Sequence, residues 1–175
     1  MVIGTLLLIF NINLNFANNS FDLFNSFFYS FFLSYRCHYC VAEIKFLQEN
    51  IQLFEELGAT VIAVSPQSKE ETRKLAEANS IEYKLIADTS NKVSKKFGLS
   101  FTIPEEIVSA LSQGPNALNL KEFYGKDEIE IPVPATYVID SDGRIVYAFI
   151  NENFMKRADV AEIAYFVRKC KIDKK

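Results

Sequence analysis

Between residues 27 and 98 the chain alternates short apolar runs with amphipathic stretches, and this alternation restricts its fold more than any other feature. Residues 27–35 form an aromatic-rich apolar run, the pattern of a buried strand. From 39 to 57 the residues Val41, Ile44, Leu47, Ile51 and Phe54 recur at spacings of three and four, with Glu43, Lys45, Glu49 and Glu55 on other faces. That spacing predicts one amphipathic helix, closed by Gly58 in a left-handed cap. Residues 59–64 read as a buried parallel strand stopped by Ser65-Pro66. A capping box at Ser68-Lys69-Glu70-Glu71 starts a helix to about Asn79. Residues 84–87 are a further strand, and Ser90 is placed to cap a helix ending at Phe97-Gly98. Strands and helices in strict alternation predict an α/β layer fold with parallel strands.

The first strand hands over to the first helix through Cys37-His38-Tyr39-Cys40. The first N–H groups of a helix are unpaired and carry the positive end of its dipole, so a sulfur there is favoured as thiolate, the reactive form of cysteine. Cys37 is the candidate nucleophile, and Cys40, one turn on, is placed to close a disulfide with it. Right-handed crossovers put the pair at the carboxyl edge of the sheet, where open α/β folds keep their chemistry. Arg36 and His38 flank Cys37 and are both capable of positive charge, which would favour the thiolate further. Zinc needs four ligands, and with His38 between the pair and Cys170 alone the supply is short, so no metal is expected.

After residue 100 the rhythm breaks. Pro104-Glu105-Glu106 begins a short helix that Gly114-Pro115 must end, and the rest, to residue 130, reads as an insertion of the kind that forms lids or binding loops. Residues 136–139 form a strand, Asp142-Gly143 turns it into an antiparallel partner over 144–150, and a last helix spans about 159–169. The sheet is therefore expected to be mixed.

Composition bears mainly on partners. A net charge of -3 with no long basic run argues against nucleic acid and anionic membranes. Residues 1–35 hold one charged residue, Asp22, and residues 1–10 resemble a signal-peptide core, but no Lys or Arg precedes them and no small-x-small cleavage site follows. Asparagines at 11, 13, 15, 18 and 19 interrupt the run well short of the roughly 18 apolar residues that a membrane span needs. Three domain-level segments are expected: an atypical low-charge segment 1–26, a domain 27–170 and a tail 171–175.

Four segments, in this order, resemble the thioredoxin-like superfamily, and within it the peroxiredoxin-like branch of the alkyl hydroperoxide reductase C and thiol-specific antioxidant proteins. They are Cys37-His38-Tyr39-Cys40; Ile62-Ala63-Val64-Ser65-Pro66; Phe97-Gly98-Leu99 with Phe101-Thr102-Ile103-Pro104-Glu105-Glu106; and Val133-Pro134-Ala135-Thr136-Tyr137-Val138-Ile139-Asp140 with Asp142-Gly143. The resemblance implies a thioredoxin-like fold and a cis Pro134 lying against the cysteines, its backbone available to substrate. It implies a cofactor-free peroxidase in which Cys37 and Cys40 are catalytic and a thiol such as thioredoxin is the reductant, with a homodimer left open. Thiol–disulfide exchange with protein substrates is the enzymatic alternative, and a non-catalytic thioredoxin-like module the other. In this branch the residues around the first cysteine are usually tyrosine-arginine-glycine, tryptophan and, after it, proline; here Phe32-Leu33-Ser34, Arg36 and His38 stand in their places. A cycling dithiol suits a reducing compartment, so the cytoplasm is the expected location, with export left open by the signal-like residues 1–10.

Overall fold

The computed structural model describes residues 26–31, 37–113, 120, 128–151 and 153–172. The segment 1–25, Arg36, residues 114–119 and 121–127 of the expected insertion, and the last three residues of the tail lie outside the described residues.

Five strands form one sheet in the order β3-β2-β1-β6-β7. β1 (Ser26–Phe31) is its centre, parallel to β2 (Ala59–Ser65) and antiparallel to β6 (Ala135–Ile139). β3 (Lys84–Ala87) extends the parallel side, and β7 (Ile145–Ile150) the antiparallel side, so the sheet is mixed as expected. β2 shows why the fold has two covered faces. Val61 and Ala63 pack with residues from α1 (His38–Glu49), while Ile62 and Val64 pack with Phe97, Leu99 and Tyr137. Strand side chains alternate between faces, so an unbroken apolar run is what a doubly covered strand requires.

The helix expected over 39–57 is two helices, α1 and α2 (Ile51–Glu56). Asn50 divides them: its backbone N–H bonds to Leu47, its side-chain amide donates to the Phe46 carbonyl at 2.8 Å, and φ, ψ of −105°, 10° leave the helical region. An asparagine that offers the backbone a local partner interrupts a helix in this way. Gly58 has the expected positive φ, 74°. Ser68 caps α3 (Lys69–Ala78) as expected, the Glu71 N–H donating to Ser68 Oγ at 3.2 Å and the Ser68 hydroxyl donating to the Glu71 carboxylate at 3.3 Å.

Ser90 does not cap α4 (Lys92–Lys96); the carboxylate of buried Asp88 does. It accepts from the N–H groups of Val93 and Ser94 and from the Ser94 hydroxyl, so an acid before the helix outcompetes the serine by reaching three donors. The expected insertion is also anchored. β4 (Ser100–Thr102) pairs antiparallel with β5 (Glu130–Pro132), flanked by hydrogen bonds from Ile103 N–H to Ile129 and from Val133 N–H to Leu99, and α5 (Glu105–Leu111) follows β4. The chain ends in α6 (Val160–Ile172), whose Ile163, Val167 and Cys170 close the core over Leu47, Phe54 and Val138.

Candidate active site

Because β1 and β2 run parallel, the chain must cross back over the sheet between them, and α1 begins that crossover beyond the carboxyl end of β1. Cys37 is the N-cap of α1, with extended φ, ψ of −83° and 106°, and its sulfur accepts the Cys40 N–H at 3.4 Å. A cysteine here takes the role usual for serine or aspartate, filling an orphan N–H of the first turn with its side chain. Cys37 is half-buried. Cys40 is fully buried, packed with Ile44, Ala63 and Leu75, and Cys37 leans on the same cluster.

These contacts act on the Cys37 thiol. The Cys40 side chain, as a hydrogen-bond partner, favours the thiolate most; burial opposes it; the backbone N–H of Cys40, the charge of Arg157 and the backbone of Tyr39 reinforce it. The result is a thiol lowered to about 6.

Arg157 was not singled out from the sequence. It lies between β7 and α6, and its guanidinium is held on several sides. Nη1 donates to the carbonyls of Phe154 and, at 2.8 Å, Lys156; Nε forms an ion pair with Glu43; Nη2 reaches the Cys40 sulfur at 3.6 Å. Glu43 is equally unexpected. Expected on a polar face of α1, its side chain is only 8% exposed and accepts the Ser30 hydroxyl of β1 at 2.9 Å. Burial pushes the Glu43 carboxyl up, the Arg157 charge and the Ser30 hydrogen bond oppose that, and the Cys37 thiolate adds a small upward push. The signal for Glu43 was in the spacing: residues 40, 43, 44 and 47 occupy one helical face, so an acid at 43 lies on the stripe of Cys40 and Leu47. Arg157 carried no comparable mark, since a loop has no period.

The other expected residues are placed as follows. His38 opens α1 with its side chain exposed, and the cation acting on Cys37 is Arg157. Arg36 lies outside the described residues. Pro134 is buried and directly precedes Ala135, the partner of Phe31 at the carboxyl end of β1, so it stands at the sheet edge from which the chain leaves for Cys37. Its peptide bond is trans, correcting the cis form that the resemblance implied. Only Val133 and Pro134 separate β5 from β6, with the Val133 N–H tied to the Leu99 carbonyl, and trans is the form an X–Pro bond ordinarily prefers. Exposed Tyr39 meets Phe154 edge to face, with ring centres 5.9 Å apart. Cys170 is buried in the other cluster, with Leu47 and Val167. Among the described residues no group of His, Cys, Asp and Glu is placed to hold a metal ion, and no helix is long and apolar enough to cross a membrane.

Residues 26–148, from the first residue of β1 into β7, match the model of the AhpC/TSA family. The chain belongs to this family. Among the relatives of this AhpC/TSA protein is peroxiredoxin Bcp of Bacillus subtilis, 26% identical over 107 residues, which are 61% of this chain and 56% of that protein. The match thus spans little more than half of the relative's length. Among solved structures, peroxidoxin BcpB of Mycobacterium tuberculosis superposes with a TM-score of 0.61 at 18% identity, covering 82% of this chain and 79% of that one. A bacterioferritin comigratory protein of Xanthomonas campestris, whose alkyl peroxide reduction activity has been studied, gives 0.59 at 15% identity over 86% and 81%. These likenesses establish the thioredoxin-like fold of the AhpC/TSA chain.

Proposed function

We propose that this AhpC/TSA protein is a thiol-dependent peroxidase that reduces hydrogen peroxide or alkyl hydroperoxides through a Cys37–Cys40 disulfide. The observation that carries the reading is the Cys37 sulfur at the mouth of α1, half-buried, hydrogen-bonded by Cys40 and lowered to about 6. Cys37 thiolate attacks one peroxide oxygen. The O–O bond breaks, the sulfur becomes sulfenic acid, and the departing oxygen leaves as alcohol or water once protonated. The Cys40 thiol then displaces that hydroxyl, giving the disulfide and water, and a dithiol reductant such as thioredoxin returns both thiols by exchange. Cys40 is fully buried and Cys37 only half, which supports Cys37 as the first to meet peroxide. Arg157 and the N–H groups of the first turn are the donors available to charge on the reacting atoms. No cofactor enters the cycle. The names of the Bacillus and Xanthomonas proteins support the reaction class, and a reducing cytoplasm suits the cycling dithiol.

Thiol–disulfide exchange with proteins is the second reading, favoured by the exposed Tyr39–Phe154 pair beside the cysteines, a surface that a protein substrate could contact. Stopped-flow oxidation separates the two. The peroxidase reading expects oxidation far faster than that of free cysteine, lost in Cys37→Ser, with a trappable sulfenic acid on Cys37 in Cys40→Ser. Peroxide rates at the level of free cysteine combined with rapid reduction of protein disulfides would transfer the site to the second reading. Loss of neither activity in Cys37→Ser would leave a binding module.

A further inference from the structure

Arg157 reaches the cysteine pair from the stretch between β7 and α6, where no described residue belongs to a helix or strand. The stretch is folded by its own polar groups. The Asn153 N–H donates to Asn151 Oδ1 at 2.9 Å, the Met155 N–H to Asn153 Oδ1 at 3.1 Å, and the Lys156 N–H to the Asn153 carbonyl at 2.9 Å. Asparagine side chains that bond the backbone two residues on make turns of this kind. The guanidinium donates Nη1 to the carbonyls of Phe154 and Lys156. These bonds fix the fork of donors relative to its own turn, but they do not fix the turn relative to α1.

Glu43 and Tyr39 of α1 take hold of the turn. Glu43 pairs with Arg157 Nε, and the Tyr39 ring meets Phe154 edge to face with ring centres 5.9 Å apart. Tyr39 and Glu43 are four residues apart in α1 and so lie on one helix face, while Phe154 and Arg157 are three apart in the turn. The two contacts straddle Cys40, whose sulfur Nη2 reaches at 3.6 Å. A planar fork held at one point can pivot about it; a second hold one helical turn away stops that rotation. The Tyr39–Phe154 contact lies outside the hydrophobic clusters of the core, and the two residues stay nearly half exposed, at 48% and 46%, so its loss leaves the fold standing.

Resting on the peroxidase reading, we propose that Phe154 is a positioning residue for Arg157: seated on Tyr39, it holds the turn 153–157 so that the guanidinium stays on the cysteine pair. The ring acts through Arg157, keeping a cation and its N–H donors where negative charge gathers on the sulfur and the departing oxygen. An edge-to-face pair favours the seated turn over a loose one by about 2- to 10-fold, which sets the scale of what its removal costs.

The test compares Phe154→Ala, Phe154→Tyr, Arg157→Met and the Phe154→Ala/Arg157→Met double variant with the parent, all in the full chain. It reads stopped-flow oxidation by hydrogen peroxide and the pH midpoint of Cys37 alkylation by iodoacetamide. Phe154→Ala is expected to slow peroxide oxidation by about 2- to 10-fold and to move the midpoint upward by less than Arg157→Met does, because a displaced cation favours the thiolate less. Phe154→Tyr keeps the ring and is expected to match the parent in both readouts. In the Arg157→Met background Phe154→Ala should cost nothing more, the signature of two residues acting through one group. The proposal is overturned by an Ala variant with the parent's rate and midpoint, by a Tyr variant as slow as the Ala variant, or by an undiminished loss when Arg157 is absent, which would mean that the ring meets the substrate itself or upholds the fold. If Cys37 of the parent oxidises no faster than free cysteine, the peroxidase reading falls, and the alkylation midpoints still decide whether Phe154 acts through Arg157.

Discussion

Titrating the reactivity of Cys37 with a soft electrophile separates two sources of rate that peroxide kinetics combine. A thiol at about 6 is about nine-tenths thiolate at pH 7, against about 3% for a free cysteine at 8.5. That is a gain of about 30-fold in attacking species. A thiolate of lower basicity is also a poorer nucleophile, by about 10- to 18-fold over this difference at a Brønsted slope of 0.4–0.5, so the net advantage at pH 7 is only about two- to three-fold. At pH 5.5 the free thiol has almost no thiolate left while Cys37 keeps about a quarter, and the advantage grows to about 20-fold. The assay is alkylation by iodoacetamide from pH 4.5 to 9, with Cys37 followed by peptide mass and free cysteine as the standard. Half-burial slows Cys37 equally at every pH, so the growth of the ratio on acidification is the quantity to read. A midpoint near 8, or a ratio that stays flat as pH falls, would refute the thiolate assignment. Ionisation thus explains little of any large peroxide rate at neutral pH, and the rest must come from donors aimed at the reacting oxygens. Arg157→Met is accordingly expected to slow peroxide reduction by much more than it slows alkylation, while moving the alkylation midpoint upward.

Cys37 also links pH to stability: its thiol is lowered by folding, so its contribution is complete above about 8.5 and is lost as pH falls through about 6, and urea midpoints measured across that window should slope less in Cys37→Ser. Glu43→Ala strands Arg157 without its counter-ion and should cost about 3 kcal/mol by urea unfolding, the low end for a broken buried pair because Arg157 keeps 18% of its side-chain surface in solvent; Glu43→Leu with Arg157→Met should recover most of it. Phe54→Ala removes a fully buried ring between α1, α6 and the sheet and should cost about 3–5 kcal/mol, with a value under about 1 kcal/mol contradicting the packing. At Gly98, φ is 68° and an added Cβ would meet nothing within 4 Å, so Gly98→Ala should cost about 1 kcal/mol from backbone strain alone.

What could be read in the sequence was local. Apolar periodicity located β2, β3 and the amphipathic helices, Gly58 marked a left-handed cap, Gly98 a helix end, and Ser68-Lys69-Glu70-Glu71 a helix start, because each of these depends on residues within one or two turns of one another. Cys37 and Cys40 were legible for the same reason. The Glu43–Arg157 pair was not, since it joins the first helix to a loop near the end of the chain: helical spacing puts Glu43 on the buried stripe, but nothing in the sequence points to its partner. β4 and β5 escaped notice because three residues are too few for a period, and one of the six is a proline. The Asn50 break and the Asp88 cap are competitions between neighbouring side chains for the same backbone groups, and propensity alone does not decide them.

The buried pair also explains how a reactive sulfur is tolerated next to an apolar cluster. Arg157 acts on two acidic groups, the Glu43 carboxyl paired with it and the Cys37 thiol. Where both are ionised, one cation serves two anions. The opposing influence is visible in Glu43, which burial raises and the Cys37 thiolate raises a little further. Closing the Cys37–Cys40 bond removes one of the anions and leaves Glu43 and Arg157 as a matched pair. The charge imbalance alone would therefore drive the site towards disulfide. Against it stand the Cys40 contacts and the Arg157 charge, which hold the thiolate more tightly than a free thiol and so favour the reduced form. At Cys37 the second effect prevails, because its thiol lies well below an ordinary one even after burial has opposed it. A disulfide whose reduced form is stabilised in this way is readily cleared by an external dithiol, which is what a cycling pair needs and a structural disulfide avoids.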